Sequence, residues 1–208
     1  MMKLLYGTSN PAKLKYMKEM LQGLDVEIVG LNEIKIEAGE IDESGNDPLE
    51  NARIKALAYY KLVNMPVFSC DSGLYIEGIE EERQPGVHVR RVNGNQLKDE
   101  EMIEYYSNIA KELGGRVKAK YKNAICFIQH DGRIFESMGD ELGSEEFILT
   151  SVPHGNRNKG FPLDSISIDE KSGKYYMDIG DEESYEGKVG DGLRKFFIKA
   201  LNLYRRGE

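Results

Sequence analysis

The sequence predicts an α/β fold, and three observations predict it. Short apolar runs of strand length alternate along the chain with amphipathic stretches of helical period. Two of those helical stretches open on a capping residue followed by proline, Asn10-Pro11 and Asp47-Pro48. Between two later β-like runs stands Asp131-Gly132, a hairpin signal.

The 208 residues suffice for a real core, as one domain over 1–208 or two intimate lobes. The apolar runs are far below membrane-spanning length, and Met1-Met2-Lys3-Leu4-Leu5 lacks the long apolar core of a signal peptide, so no membrane association is expected. Cys70 and Cys126 stand in no metal-ligand spacing, which argues for a reduced interior without structural zinc and for a cytoplasmic protein. A formal charge of −8 disfavours sequence-independent binding to nucleic acid, whose affinity rests on neutralising phosphates. A small polyanion held with a divalent cation is still compatible, because local basic residues decide such a site.

Taken in order, Leu4 to Tyr6 is a buried-strand run that Gly7-Thr8-Ser9 breaks. The helix opened by Asn10 and Pro11 carries Leu14, Met17 and Leu21 on one face, and Gly23 can end it. A strand, a tight turn of small polar residues and a new helix start make a natural anion site, with free backbone N–H groups and Lys13 within reach. The same residues also suit an ordinary βα turn with a surface lysine. The pattern is neither a Walker A loop nor a dinucleotide-binding glycine fingerprint. Val26 to Val29 is a second strand, and Leu31 to Gly45 reads as a polar, acidic loop. Asp47 as N-cap, Pro48 at N1 and Glu50 at N3 then start a helix whose buried face takes Leu49, Ala52, Ala56 and Tyr59/Tyr60.

Met65 to Cys70 is a short strand, followed at once by Asp71-Ser72-Gly73-Leu74. A carboxylate at a strand end is a common place for a metal ligand or base in α/β proteins. Cys70 reads as packing rather than as a nucleophile. Arg90 and Arg91 can clamp a phosphate, and His88 reads as a turn residue. Asp99-Glu100-Glu101 begins a helix that runs to Gly114-Gly115. Val117 to Ile128 and the run from Arg133 are expected to form a long antiparallel scaffold pair without chemistry. Phe161 can stack on a base, worth roughly 1–3 kcal/mol in single-strand contexts. Lys188 to Arg194 opens a final helix with Leu193, Phe197, Ala200, Leu201 and Tyr204 on one face.

Together these segments resemble the inosine triphosphate pyrophosphatase (ITPase) family, which clears aberrant purine nucleoside triphosphates by cutting them to the monophosphate and pyrophosphate. Thr8-Ser9-Asn10-Pro11-Ala12-Lys13 differs from the family's Thr-Gly-Asn-x-x-Lys only at Ser9. Glu43-Ser44-Gly45 followed by Glu50 to Ala56 matches its Glu-x-Gly and Glu-Asn-Ala-x-x-Lys-Ala. Cys70-Asp71-Ser72-Gly73-Leu74 stands for Asp-Asp-Ser-Gly-Leu, and Pro85 to Arg91 for Pro-Gly-x-x-Ser-x-Arg with Val89 at the serine. Phe161 and Asp164 keep their places in Gly-Phe-Gly-Tyr/Trp-Asp-Pro, where Leu163 replaces the aromatic. Lys188 and Arg194 keep theirs in Lys-Asn-x-x-Ser-His-Arg, where Gly192 and Leu193 replace the Ser and His that read the base.

The resemblance implies an elongated, two-lobed fold with a central mixed β-sheet flanked by helices, a cleft between the lobes, and a homodimer. It implies Mg²⁺, with Mn²⁺ as a substitute, held by Glu43 and Asp71, and gives Asp71 and Lys55 the catalytic roles. Thr8, Asn10, Lys13, Lys55, Arg90 and Arg91 would hold the substrate's phosphates, Phe161, Asp164, Lys188 and Arg194 would line its nucleoside end, and Ser9 and Ser72 would also bind substrate. Gly192 and Leu193 lead to an expectation of looser base discrimination, to be tightened by Gly192→Ser with Leu193→His. Two other readings stay open: a Maf-like nucleotide pyrophosphatase of different base choice, and a non-catalytic nucleotide-binding protein.

Overall fold

A computed structural model describes residues 1–34, 39, 41, 43–63, 65–179 and 186–205. Strand β1 (Met2–Tyr6) leads into helix α1 (Pro11–Met20), and β2 (Val26–Gly30) returns beside it. Helix α2 (Pro48–Leu62) and strand β3 (Val67–Ile76) follow, then the small hairpin β4 (Arg91–Val92) and β5 (Asn95–Gln96). Helix α3 (Asp99–Glu112) precedes the long β6 (Arg116–Ile128), which turns into β7 (Ile134–Ser137). Strands β8 (Phe147–Thr150) and β9 (Ser167–Asp169) complete the sheet, and helix α4 (Glu186–Arg205) closes the described chain. Among the described residues no helix is long and apolar enough to cross a membrane.

The main sheet runs β2-β1-β3-β6-β8-β9, with β7 also on β6. Its β1–β2 and β1–β3 pairings are parallel and the others antiparallel, so the sheet is mixed. Leu4 and Leu5 at 0% exposure explain the unbroken apolar run of β1: both faces of a central parallel strand are covered. The anticipated caps form. Asn10 Oδ1 accepts from the Ala12 and Lys13 amides, and Asp47 Oδ1 accepts from the Glu50 amide.

Three expectations change. Residues Leu31–Ile34 form a single 3₁₀ turn rather than loop, pinned where Glu33 Oε2 accepts from the Gly30 amide at 2.8 Å. Much of the acidic stretch after it, including Asp42, lies outside the described residues, as does the side chain of Tyr204. The strand expected to stop at Cys70 continues to Ile76, so Asp71 lies in mid-strand rather than at an end. The reason is β6, which pairs with β3 from Val67↔Ile128 to Ile76↔Ala119 and satisfies its backbone throughout. Thus the long scaffold pair is β3–β6, and β7 is only a short return after the Asp131-Gly132 turn.

One further detail of register creates the cleft. β1 touches β3 only at Leu5↔Val67 and Tyr6↔Phe68, and its chain then turns away at Gly7. Beyond Phe68 the β1 side of β3 is therefore left open. On one face of β3 and β6, Phe68, Ile125 and Phe127 pack with Met17 of α1 and Phe197 of α4. Farther along, Leu74, Ile76 and Ala119 pack with Met102, Ile103 and Tyr106 of α3. On the opposite face Ala124, Cys126 and Ile128 meet Ala52 and Ala56 of α2.

Candidate active site

At the open edge of β3 two cavities adjoin. The first, of about 310 Å³, is charged and lies where the Gly7–Lys13 loop, α2 and the 87–96 segment converge. Gly7 is required there by close approach: a Cβ on it would overlap Ser69 Oγ and the Tyr59 ring. Lys55 projects from α2 onto Asp71, Nζ to Oδ1 2.7 Å, with Glu43 Oε2 3.5 Å away. The Lys55 and Asp71 side chains are only 12% and 11% exposed, so Lys55 is not the surface residue its helix position allows. Glu43 is brought in by its neighbour Gly45, whose amide donates to the buried Asn51 Oδ1 at 2.9 Å. Asp71 Oδ2 is buried and has no hydrogen-bond partner among the described residues. A buried carboxylate oxygen in that state is costly unless something else meets it.

The first turn of α1 offers less than its sequence promised. Asn10 Oδ1 takes the amides of Ala12 and Lys13, and Asn10's own carbonyl takes that of Leu14. The Gly7, Thr8 and Asn10 amides are bonded to the Phe68 carbonyl, the Tyr6 carbonyl and Thr8 Oγ1. Among the described residues, the Ser9 amide is the one in this loop left to receive an anion. Lys13 also lines the cavity. Burial first, and then the Lys55 ammonium, hold its pKa below the ordinary lysine value. A polyanion bound beside Lys13 offsets both its burial and its repulsion by the Lys55 ammonium.

Arg90 and Arg91 both line this cavity. Arg90 is already held by Asp99 at 2.8 Å and by the Leu97 carbonyl at 3.0 Å, whereas Arg91 is exposed. His88, read from sequence as a turn residue, also faces the charged cavity, as do Gln96 and Asn51. The sequence carries no signal for His88, since its neighbours in space are far from it in the chain. Burial pushes the Cys70 thiol up to about 12, so it stays protonated at neutral pH and is no nucleophile.

The second cavity, of about 350 Å³, opens from the first between the two apolar clusters. Tyr6, Met17, Leu142 and Leu193 come from one cluster, and Met102 and Leu163 from the other. Phe161, Asp164 and Ser72 line it, and Asp164 Oδ2 accepts from Asn158 Nδ2 at 2.8 Å. Lys188 and Arg194 line neither cavity. Lys188 is exposed with its Nζ 3.9 Å from Glu145. Arg194 donates to the carbonyls of Met20 and Gln22 at 3.3 and 2.8 Å, capping the end of α1. The cause is helical: Leu193 turns into the cavity, and the next residue lies about 100° further round.

A mixed sheet whose open edge carries a carboxylate–ammonium–carboxylate row, flanked by cations and leading into a ring-sized apolar pocket, defines an α/β protein suited to a charged ligand with a flat apolar end. The chain belongs to the Ham1 family, whose model matches residues 4–186. It is 30% identical over 204 residues to a protein of Porphyromonas gingivalis named dITP/XTP pyrophosphatase, covering 96% of this chain and all of that one. A protein of the same name from Aquifex aeolicus is 32% identical, with 93% of this chain and 94% of that one covered. In fold, the chain is similar to a HAM1 protein from Coxiella burnetii, with a TM-score of 0.75 at 22% identity over 96% of this chain and all of that one. The family read from the sequence motifs is therefore the family found.

Proposed function

We propose that this chain is a nucleoside triphosphate pyrophosphatase acting on aberrant purine nucleotides such as dITP and XTP, with Mg²⁺ as its metal. The observation that carries this reading is Lys55 pinned between Asp71 and Glu43, with the second Asp71 oxygen buried and unpartnered. The names of the relatives supply the substrate class.

The donor set fits a hard divalent cation. It offers two carboxylates, and the Cys70 thiol that also lines the cavity stays protonated and so is no competing ligand. Such a set suits Mg²⁺, which keeps waters and shares substrate phosphate oxygens. Glu43 and Asp71 would hold it, and when bound it would neutralise charge on the triphosphate and on the departing pyrophosphate. Lys55 holds one Asp71 oxygen and so orients the other. That oxygen can take the proton of a water attacking the α-phosphorus. Lys13, Arg91 and the Ser9 amide bind the phosphate chain, and the second pocket takes the base, with Phe161 as its stacking face.

The test is a panel of nucleoside triphosphates assayed for pyrophosphate, with and without a chelator. Pyrophosphate release from ITP, dITP and XTP that the chelator abolishes is expected; orthophosphate as product would overturn the reading. A second expectation concerns Lys13. Because it lies at the phosphate end, Lys13→Ala should lower kcat/KM for every triphosphate by a similar factor, about tenfold or more for one lost charged contact. Loss of preference among bases in that variant would place Lys13 at the nucleoside end instead.

A further inference from the structure

The residues expected to read the base lie on α4 and in the 160s loop, yet a polar group of the apolar pocket comes from β6. Asn123 stands directly across from Ser72 in the β3–β6 register. By the two-residue period it shares a strand face with Tyr121, Ile125 and Phe127, which pack into the apolar clusters. Asn123 is thus a half-buried carboxamide on an otherwise apolar face, in a pocket walled nearby by Leu142 and Leu193.

Its orientation is set. Nδ2 donates to the Leu142 carbonyl at 2.7 Å, which commits the nitrogen to the turn at Asp140–Leu142. Oδ1 makes no hydrogen bond among the described residues and is left as an acceptor in the pocket that Asn123 lines. The same turn explains the glycine on α4. A Cβ on Gly192 would overlap the Glu141 carbonyl oxygen, so position 192 faces the turn and offers the pocket nothing.

A fixed acceptor in a largely apolar pocket selects for a donor, since an acceptor placed against it leaves both unpaired once the base covers them. Hypoxanthine, xanthine and guanine carry an N–H at N1, where adenine carries a lone pair. We propose that Asn123 Oδ1 accepts the N1–H of a 6-oxopurine and is the residue that discriminates these bases from adenine. This inference rests on the pyrophosphatase reading above.

The experiment compares kcat/KM for ITP, dITP, ATP and N1-methyl-ITP in wild type, Asn123→Ala and Asn123→Ser, with folding checked by circular dichroism. Expected is an ITP over ATP ratio that falls by roughly tenfold or more in both variants. N1-methyl-ITP should be poorer than ITP in wild type, and that penalty should shrink in the variants. The dITP over ITP ratio should not move. Should Asn123→Ser be the only variant that folds, its ratios alone decide. An ITP preference that survives in a folded variant would overturn this inference and leave the pyrophosphatase reading standing. A shift in the dITP over ITP ratio instead would place Asn123 at the sugar and also overturn it. A wild-type protein that releases no pyrophosphate from any triphosphate would remove both.

Discussion

Asp71→Asn is expected to lower turnover on the order of 10²-fold or more while the protein remains folded, as removing other preorganised charged groups does. The substitution keeps the shape of the side chain, and β3 keeps its full pairing with β6, so the sheet has no reason to fail. What it removes is specific. The buried, unpartnered Oδ2 becomes part of a neutral amide, too weak a base to take a proton from water and a poor ligand for a divalent cation. The Lys55 ammonium, 2.7 Å from Oδ1, loses its nearest counter-charge and, among the described residues, keeps Glu43 at 3.5 Å. Pyrophosphate release and a thermal melt on the same preparation separate loss of chemistry from loss of fold. Near-normal turnover in the variant, with near-normal turnover of wild type in chelator, would move the chemistry elsewhere.

Gly192→Ser with Leu193→His is expected to destabilise the protein without sharpening base preference. From sequence alone this pair of changes restores the Ser-His of the related family, but the packing of α4 argues the reverse. Gly192 is buried, and its missing side chain is what lets α4 approach the backbone of Glu141. A serine there must push α4 or the Asp140–Leu142 turn away, and overpacking of this kind costs about 1–3 kcal/mol. Leu193, 6% exposed, belongs to the apolar cluster with Phe197 and Leu142, so an imidazole would be buried there among apolar groups. At about 2–4 °C per kcal/mol for a chain of this size, the melting temperature should fall by several degrees. The expected ITP over ATP ratio is no higher than in wild type. A double variant as stable as wild type with a larger ratio would show that α4 can read the base after all.

The elements of the fold were largely legible because their signals are local. Asn10 and Asp47 cap the helices that their following prolines announce, and each cap hydrogen bond spans two or three residues. The turn at Asp131-Gly132 likewise uses the chemistry of its own few residues, with Gly132 at φ +82°. Less legible was the length of β3. Gly73 and the small Ser72 look like an ending, and only the partner strand shows that they are not.

What the sequence determined by itself, then, was the alternation of strands and helices, the caps that start the helices, and the motif segments by which the family is recognised. Each of these is carried by residues within one turn or one strand of each other. Tertiary structure decided which of those segments meet. It set β3 against β6, ended β1 two pairs into β3, and so opened the edge where Asp71 meets Lys55. It sent Arg194 across 172 residues to the Gln22 carbonyl, where a motif had suggested a base. It also turned Asn123, unremarkable in the chain, into an oriented acceptor in an apolar pocket. The physical reason is the same in each case. A cap is satisfied by its own neighbours, whereas burial and an unpaired lone pair depend on groups far away in sequence that only the packed sheet brings near.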